Sequence, residues 1–502
     1  MDREAFRQAG YRAVDEVCEY FATLESLPVA AQVEQGYLAK QIPAQAPEHG
    51  EAWDTIQRDF HTQIMPGMTH WQHPMFYGFF PSNVTYEGIL ADIYTAATNN
   101  PGFNWTASPA VTELEFIVLD WLAGMVGLGA AFHSNDMSHE GGGVMLGGAS
   151  EATFTMAIAA RERALDRLAH TAPALRASLL PTMVMYGTSQ THTVGAKAAK
   201  MLGLQFRALD VCRADDYALR GATLQAALDE DRAKGLHPFI LIATYGTTNS
   251  CAIDRLDEIA RVAASDPTLW LHVDAAYGGV TLALEEERMP AHLDAIRTHF
   301  DSFSLNLHKW GLVHMECAPT FLRNRRYLAN ALSLTPEYLK SRGTDAAALN
   351  DLRNLQIVLG RRFRALKVWF VLRSFGQAGF RTHLRNAIAQ AAHFAHALQR
   401  MPAFEIVHPP RWGLVMFRLL AAGTGTDVDA LNRRFNDVLL TRQDAMFLTP
   451  TVLPEVGFCL RIVFGAPATE MRHVDKALDL LAQCAAQTLH HADEPHGAAP
   501  AS

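Results

Sequence analysis

Between about residue 86 and residue 365, short apolar runs alternate with longer segments in which apolar residues recur every three or four positions. The short runs are typical of buried strands, and the longer segments are typical of helices with one buried face. Strands are predicted at 143–146, 182–186, 239–245, 269–273, 303–307 and 319–322, and helices at 151–168 and 194–202. This alternation predicts an α/β fold with a mainly parallel central sheet that is covered by helices on both faces.

The pattern changes on the N-terminal side of this region. Phe6, Tyr11, Val14, Val17 and Phe21 recur at helical spacing, and a proline-rich stretch follows them. Residues 1–85 are therefore expected to form an appended helical segment, before a large α/β domain at 86–365.

The pattern also changes on the C-terminal side. Helices are predicted at 363–375 and 380–399, and apolar runs follow at 404–407, 413–417 and 460–464. These features predict a small α+β domain with an antiparallel sheet at 366–485. Residues 486–502 are rich in Ala, His, Pro and Glu, and we expect this tail to be disordered.

The amino-acid composition argues against several classes of partner and binding site. The formal net charge of −9 argues against nucleic acid or an acidic membrane as the main partner. The six cysteines are scattered without a CxxC pair, and the charged N-terminus lacks the apolar core of a signal peptide, so a cytoplasmic location is expected. The 22 histidines show no spacing typical of a metal site, and no metal is expected.

The main chemical signal is Lys309, which follows an apolar run and lies 35 residues after Asp274, at the end of another predicted strand. A lysine amine can form a Schiff base with the aldehyde of pyridoxal 5′-phosphate, and a carboxylate can keep the pyridine nitrogen protonated. Taken alone, such a lysine is more often a surface residue and such an aspartate a helix cap. Their combination and order predict a pyridoxal phosphate site.

Three further segments follow predicted strands. The turn at 147–152 has small residues and Ser150, which suit a phosphate at a helix N-terminus but also an ordinary helix cap. His192 has an imidazole that could stack on a pyridine ring, although a single histidine is more often structural. The segment 246–250 offers hydroxyl groups. Ligands of open α/β sheets gather at the carboxyl ends of strands, where all these segments are expected.

From about residue 1 to residue 485 the chain resembles the group II pyridoxal phosphate decarboxylases, and within them the aromatic-L-amino-acid decarboxylases. The matching blocks lie at 36–38, 65–71, 103–105, 108–115, 140–143, 274–277, 308–310 and 359–364. The resemblance implies a fold-type I homodimer whose active site takes residues from both chains, with residues 1–85 as a dimer clasp.

The resemblance also implies roles for individual residues. Lys309 would hold the cofactor, Asp274 would pair with its ring nitrogen, and His192 would stack on the ring face opposite Ala276. The other residues implied near the cofactor are Ala149, Ser150, Thr248, Asn306 and His308. The residues implied on the substrate side are Trp71, Phe79, Ser82 and Phe103. Four residues differ from those most common in the family, namely Leu307, Gly148, Ser82 and Phe79. These differences affect the expected substrate more than the expected chemistry.

Two positions bear on the reaction and its substrate. Tyr338 matches the tyrosine of the family's catalytic loop, the implied proton donor to the substrate after carbon dioxide leaves. Relatives that make aldehydes usually lack this tyrosine or the stacking histidine, so the resemblance favours simple decarboxylation of an aromatic L-amino acid to its amine. Gly360 matches a position of the family at which glycine leaves room for larger substrate rings than serine does. Without the resemblance, Gly360 would be interpreted as a glycine that is needed where a helix begins.

Three alternatives remain. The first is an aldehyde synthase that uses the same site, and the second is a decarboxylase of a non-aromatic amino acid, against which Trp71 and Phe103 argue. The third is a cofactor-binding regulatory protein without turnover, which the full set of Lys309, Asp274, His192 and Tyr338 disfavours.

Overall fold

The computed structural model describes residues 1–136, 138–170, 172–334, 349–420 and 427–490. The chain divides into two units, one formed by Ser82–Asn386 and the other by Met1–Pro81 together with Ala387–Ser502. The three-part division and the disordered tail inferred from the sequence stay predictions. Among the described residues, no helix is both long enough and apolar enough to cross a membrane.

The unit Ser82–Asn386 is built on a seven-stranded sheet with strand order β1-β7-β6-β5-β4-β2-β3. Its strands are β1 (Gly142–Leu146), β2 (Met183–Thr188), β3 (Gln205–Leu209), β4 (His237–Thr244), β5 (Trp270–Asp274), β6 (Ser302–Ser304) and β7 (Ala318–Leu322). Five neighbouring strands, β3, β2, β4, β5 and β6, run parallel, whereas β7 is antiparallel to both β6 and β1. Five of the seven strands are buried along their whole length, which explains their near-continuous apolar sequences.

The α-helices described in this unit precede, separate and follow the strands along the chain. Their bounds are Tyr86–Thr98, Pro109–Val126, Ala149–Leu168, Arg176–Leu179, Val194–Leu202, Gly221–Ala233, Leu256–Ala263, Pro290–His299, Leu307–Trp310, Arg326–Leu332 and Arg364–Gln399, the last of which continues past the unit boundary. Short 3-10 turns occur at Ala130–Phe132, Pro173–Leu175, Leu180–Thr182, Arg213–Asp215, Gly278–Ala283, Glu285–Glu287 and Leu352–Leu355. The helix Ala149–Leu168 buries mostly small residues such as Ala152, Ala159 and Ala160, because small side chains allow a helix to approach a sheet closely.

Local signals fix several of these boundaries. Pro109 occupies the first turn of its helix, where its missing N–H has no cost, and Gly127 ends that helix with φ of 75°. The two helices expected at 363–375 and 380–399 are both present within Arg364–Gln399, because Gly376 interrupts this segment with the non-helical angles φ 62° and ψ 176°. The strand expected at 303–307 ends at Ser304, because the helix Leu307–Trp310 begins three residues later.

The other unit contains a four-stranded antiparallel sheet with strand order β10-β11-β9-β8. Its strands are β8 (Phe404–Arg411), β9 (Leu414–Leu419), β10 (Thr449–Leu453) and β11 (Gly457–Val463). Its α-helices are Arg3–Thr23, Tyr37–Gln41, Trp53–Asp59, Val428–Leu440 and Met471–His490, with a π-helical turn at Phe60–Ile64 and 3-10 turns at Leu24–Ser26 and Met65–Gly67. The antiparallel sheet predicted for the C-terminal region is therefore present, with β10 as an additional strand.

Candidate active site

A cavity of about 410 Å³ lies within the unit Ser82–Asn386, where β1, β2, β4, β5 and β6 end. Its size falls in the range of sites for cofactors and small ligands. The residues lining it are Gly147, Gly148, Ala149, Ser150, Glu151, His192, Val194, Thr244, Gly246, Thr248, Asp274, Ala276, Asn306, His308, Lys309, Met315 and Glu316. All nine residues that the sequence predicted around a cofactor are in this set.

Lys309 lies in the one-turn helix Leu307–Trp310, which follows β6. Its backbone carbonyl accepts a hydrogen bond from Asn83 N–H at 3.1 Å. The next residue, Trp310, donates from its indole to Tyr277 O at 2.8 Å and stacks on the Tyr277 ring with centroids 4.6 Å apart. These contacts hold the lysine backbone on both sides, so its side chain enters the cavity from a fixed position.

Asp274 is the last residue of β5 and is 3% exposed. Its Oδ1 accepts a hydrogen bond from Ala276 N–H at 3.0 Å, which orients the carboxylate at the strand end. A buried carboxylate needs a positive partner or several donors. The cavity that Asp274 lines is therefore suited to a cationic group such as a protonated pyridine.

His192 lies in the turn after β2, and burial lowers the pKa of its imidazole. Its Nδ1 accepts a hydrogen bond from Val194 N–H at 3.3 Å, so the ring hydrogen of the neutral form is on Nε2. A neutral imidazole can lie flat against another aromatic ring, as a cofactor-stacking residue must. His308, which also lines the cavity, is held neutral too, because burial lowers its pKa to about 4.

The turn after β1 forms the part of the cavity that is suited to a phosphate. It leads into the helix Ala149–Leu168, and Gly148 at its N-cap makes no side-chain capping bond. Among the described residues, only His308 would come within 4.0 Å of a Cβ atom at Gly148, so there is open space beside the Gly148 backbone. An oxyanion at this end would be stabilised by the backbone amides of the turn and by the helix dipole.

Two buried polar atoms lining the cavity support the presence of a polar ligand. Asn306 Oδ1 and Thr244 Oγ1 are buried, and neither has a hydrogen-bond partner among the described residues. Buried polar groups in folded proteins are almost always paired. A bound group with donors and acceptors, such as pyridoxal 5′-phosphate, therefore fits this cavity.

The strand before the phosphate turn is anchored by a buried ion pair. Glu115 and Arg361 side chains are 1% and 0% exposed, and their nearest oxygen and nitrogen are 2.7 Å apart. Glu115 accepts from Met145 N–H at 2.8 Å, and Arg361 donates to Met145 O at 2.7 Å. The residue opposite Met145 in β7 is Pro319, which has no N–H, and the ion pair satisfies both backbone polar groups of Met145.

The residues predicted on the substrate side are found in several places. Ser82 precedes Asn83, which contacts Lys309, whereas Phe103 and Gly360 do not line the cavity. The segments that carry these two residues are joined by a hydrogen bond from Arg361 N–H to Pro101 O at 2.8 Å. Trp71 and Phe79 belong to the other unit, where their rings stack at 5.5 Å and Phe79 is 48% exposed. Tyr338 lies outside the described residues.

Several residues that line the cavity had no predicted role. This group consists of Val194, Thr244, Met315 and Glu316. Thr244 could have been found from the sequence, because it lies at the end of the strand that precedes the hydroxyl-rich segment 246–250. Met315 and Glu316 follow Lys309 through an irregular loop, for which the sequence offers no clear pattern.

Comparisons with known proteins agree with this geometry. Residues 35–420 match a family model described as the pyridoxal-dependent decarboxylase conserved domain. The chain is 38% identical to phenylacetaldehyde synthase of Arabidopsis thaliana, over 98% of both chains, and 39% identical to tryptophan decarboxylase 2 of Oryza sativa subsp. japonica, over 97% of this chain and 96% of the relative.

Among solved structures, tryptophan decarboxylase of Catharanthus roseus in complex with L-tryptophan superposes with a TM-score of 0.89 at 36% identity, covering 97% of this chain and 99% of the other. The predicted fold class, fold type I, is confirmed by such neighbours. The chain belongs to the family of pyridoxal-dependent decarboxylases.

Proposed function

We propose that the protein decarboxylates aromatic L-amino acids to arylalkylamines with pyridoxal 5′-phosphate as cofactor. The observation that carries this proposal is the cavity that brings together Lys309, Asp274 and His192 with the N-terminus of the helix Ala149–Leu168. When bound, pyridoxal phosphate supplies an aldehyde for the substrate amine and a protonated ring that withdraws electrons from the bond to the carboxylate.

The chain's own residues have distinct tasks in this reaction. The Lys309 amine would hold the cofactor through its aldehyde. The Asp274 carboxylate would stabilise a positive ring nitrogen, and the neutral His192 imidazole would contact the ring and exclude water from it. The backbone amides at Ala149 and Ser150 would bind the phosphate, together with the Ser150 hydroxyl.

An aromatic substrate is supported by the side chains implied around its ring. Trp71 and Phe79 form a stacked pair with interplanar angle 13°, and the exposed part of Phe79 can contact a further ring. Phe79 has a φ of 56°, a left-handed conformation that costs a non-glycine residue energy and is common at binding sites. Relatives that act on tryptophan and tyrosine, by their names, also support this substrate class.

The second candidate is an aldehyde synthase, because one relative at 38% identity is a phenylacetaldehyde synthase. Both reactions release carbon dioxide, and they differ in whether a proton or dioxygen reaches Cα afterwards. Tyr338 as proton donor, together with His192, favours the amine.

The deciding experiment measures carbon dioxide, amine, aldehyde, ammonia and peroxide from tryptophan, tyrosine, phenylalanine and DOPA in parallel. Amine in equal amount to carbon dioxide supports the decarboxylase. Aldehyde with ammonia and peroxide would establish the synthase instead, and no carbon dioxide from any of the four would refute both.

We also propose that the protein is a homodimer with an active site shared between chains. The helix Tyr86–Thr98 exposes four large apolar side chains, Tyr86, Leu90, Ile93 and Tyr94, each about half accessible in the single chain. Apolar patches of this kind usually mark interfaces. Phe103 and Gly360 do not line the cavity of their own chain, which fits a role in the site of a second chain.

Mixing two inactive variants tests the shared site. Lys309→Ala lacks the amine, and Phe103→Ala lacks the proposed substrate contact, so each homodimer should be nearly inactive. Hybrid dimers would contain one complete site, and random exchange should restore about a quarter of the wild-type activity. No recovery after verified subunit exchange would refute the shared site.

A cytoplasmic location is the final part of the proposal. None of the six cysteines is in a disulfide, and four of them are buried as thiols. Reduced cysteines are typical of proteins in reducing compartments. Cell fractionation of the tagged protein tests this, and recovery from an oxidising compartment would contradict it.

A further inference from the structure

The cavity has more acidic than basic side chains, although it is suited to a phosphate. Among the described residues that line it, three are acidic, Glu151, Asp274 and Glu316, whereas one, Lys309, is basic. A site for an anion normally has an excess of cationic groups, because like charges repel. Asp274 and Lys309 have tasks in the proposed reaction, and the two glutamates do not.

The two glutamates approach the same residue, Gly147, in the turn after β1. Gly147 N–H donates to Glu151 Oε2 at 2.7 Å. A Cβ atom at Gly147 would lie 2.9 Å from Glu151 Oε2 and 3.2 Å from Glu316 Oε2, so a side chain at this position would collide with the carboxylates. The close approach explains why the turn has a glycine here. It also places both carboxylates beside the part of the cavity that is suited to a phosphate.

Arg364 compensates the charge of one of these carboxylates. Its Nη2 lies 3.1 Å from Glu316 Oε2, and its Nη1 donates to Met145 O at 3.4 Å. The side chain of Arg364 is 10% exposed, whereas that of Glu316 is 60% exposed. Because a guanidinium is a permanent cation, the pair of Arg364 and Glu316 adds no net charge to this end of the cavity. Glu151, by contrast, is bound by a neutral backbone amide.

We propose that Arg364 is a positioning residue that acts through Glu316 and allows this acidic end of the cavity to prefer a phosphorylated cofactor. With Arg364 present, Glu316 is held and compensated beside Gly147, so a phosphate is repelled by one carboxylate instead of two. The helix amides then outweigh the remaining repulsion. The inference rests on the proposed function, because the phosphate belongs to pyridoxal 5′-phosphate.

The test compares two ligands that differ only in the phosphate arm. Pyridoxal 5′-phosphate and 5′-deoxypyridoxal have the same ring and aldehyde, and the second has a methyl group in place of the phosphorylated hydroxymethyl group. Both are titrated into the full-length protein after removal of bound cofactor, in a buffer without phosphate or sulfate. Binding is followed by quenching of tryptophan fluorescence. The quantity of interest is the Kd of 5′-deoxypyridoxal divided by the Kd of pyridoxal 5′-phosphate, which we call the phosphate preference.

Each single substitution changes the charge beside the turn by one unit, and the two changes have opposite signs. Glu316→Gln should raise the phosphate preference by roughly 3–10-fold, and Arg364→Gln should lower it by roughly 3–10-fold, as expected for one solvent-screened charge near a phosphate. The double variant lacks both charges, so its phosphate preference should return close to the wild-type value. Because salt screens exposed charges, these differences should shrink when NaCl is raised to about 1 M.

The matched control is the ion pair of Glu286 and Arg385 in the same unit, whose Oε1 and Nε are 2.7 Å apart. Both side chains are about half accessible, and neither residue lines the cavity. Glu286→Gln and Arg385→Gln change the charge of the protein by the same amounts as the test substitutions. They should leave the phosphate preference unchanged, which separates a local effect from an effect of net charge.

Each outcome has a defined meaning. Equal changes in affinity for both ligands would show that the pair is only structural and would overturn the proposal. A double variant with a phosphate preference as low as that of Arg364→Gln would also overturn it, because Arg364 would then not act through Glu316. An unchanged preference in Glu316→Gln would do the same, and this exposed position decides the question even if Arg364→Gln does not fold. A wild-type chain that binds neither ligand would instead refute the proposed function.

Discussion

The buried pair of Glu115 and Arg361 allows a prediction whose size follows from the structure. Glu115→Gln keeps the shape and an acceptor for Met145 N–H but removes the negative charge, and Arg361 is then an uncompensated charge with a fully buried side chain. Burial already lowers the pKa of Arg361, which shows how strongly this interior disfavours charge. Removing one partner of a buried pair typically costs about 3–5 kcal/mol.

This free-energy cost can be converted into a decrease in the melting temperature, Tm. For a unit of about 300 residues, an unfolding entropy of about 2 cal/mol/K per residue gives a decrease in Tm of roughly 5–8 °C. The assay is thermal and chemical denaturation of Glu115→Gln, Arg361→Gln and the double variant. The double variant has no unpaired buried charge. Its decrease in the free energy of unfolding should therefore be smaller than the sum of the two single decreases by about 1–3 kcal/mol.

The matched control is the exposed pair of Arg385 and Glu286 in the same unit, whose side chains are about half accessible. Glu286→Gln should leave the free energy of unfolding nearly unchanged, because solvent screens an exposed ion pair. The reasoning is refuted if the two buried single substitutions are additive within about 0.5 kcal/mol, or if Glu115→Gln costs no more than the exposed control.

Four further predictions follow from the site. Borohydride reduction should label Lys309, and Lys309→Ala should lose turnover by orders of magnitude; a label on another lysine would contradict the assignment. Gly360→Ser should leave Tm nearly unchanged, because among the described residues only Pro101 comes within 4.0 Å of a Cβ there, yet kcat/KM for tryptophan relative to tyrosine should fall about 10-fold; an unchanged ratio argues against a role in specificity. Tyr338→Phe should shift the product from amine to aldehyde; amine at the wild-type rate would exclude Tyr338 as proton donor. Burial lowers the pKa values of His272 and His308 to about 4, so the unfolded state binds more protons below pH 6.5, and the free energy of unfolding should fall as pH decreases from about 6.5 towards 4; a flat profile in that window would contradict this.

The sequence predicted most of the central sheet because buried parallel strands leave a strong signal. The strands β1, β2, β4, β5 and β7 were expected within a few residues of their observed bounds, since each is a nearly continuous apolar run. The edge strand β3 was missed, because it is largely accessible and contains Gln205 and Arg207. The strand β10 was missed for a similar reason, with exposed residues and Pro450.

The grouping of cofactor residues was predictable because they follow strands that end at one edge of the sheet. The contributions of Glu115 and Arg361 were not predictable, because these residues bind the backbone of β1 from a helix and a loop that are distant from it in the sequence. The placement of Ser302 beside His272 and of Ser304 beside Asp274 was not predictable either, because it depends on the register of β6 against β5, and a single sequence contains no record of that register.

The position of β1 has a consequence for how the protein is made. β1 lies at the edge of its sheet and, in the part of the chain that the structure describes, pairs with β7 alone, so Gly142 can pair only after Leu322 has been synthesised, 180 residues later. At typical translation rates of about 5–20 residues per second, this delay is roughly 10–40 s. The turn for the phosphate is therefore among the last parts of the sheet to be completed on the ribosome, and a nascent chain released before β7 should have no affinity for the cofactor.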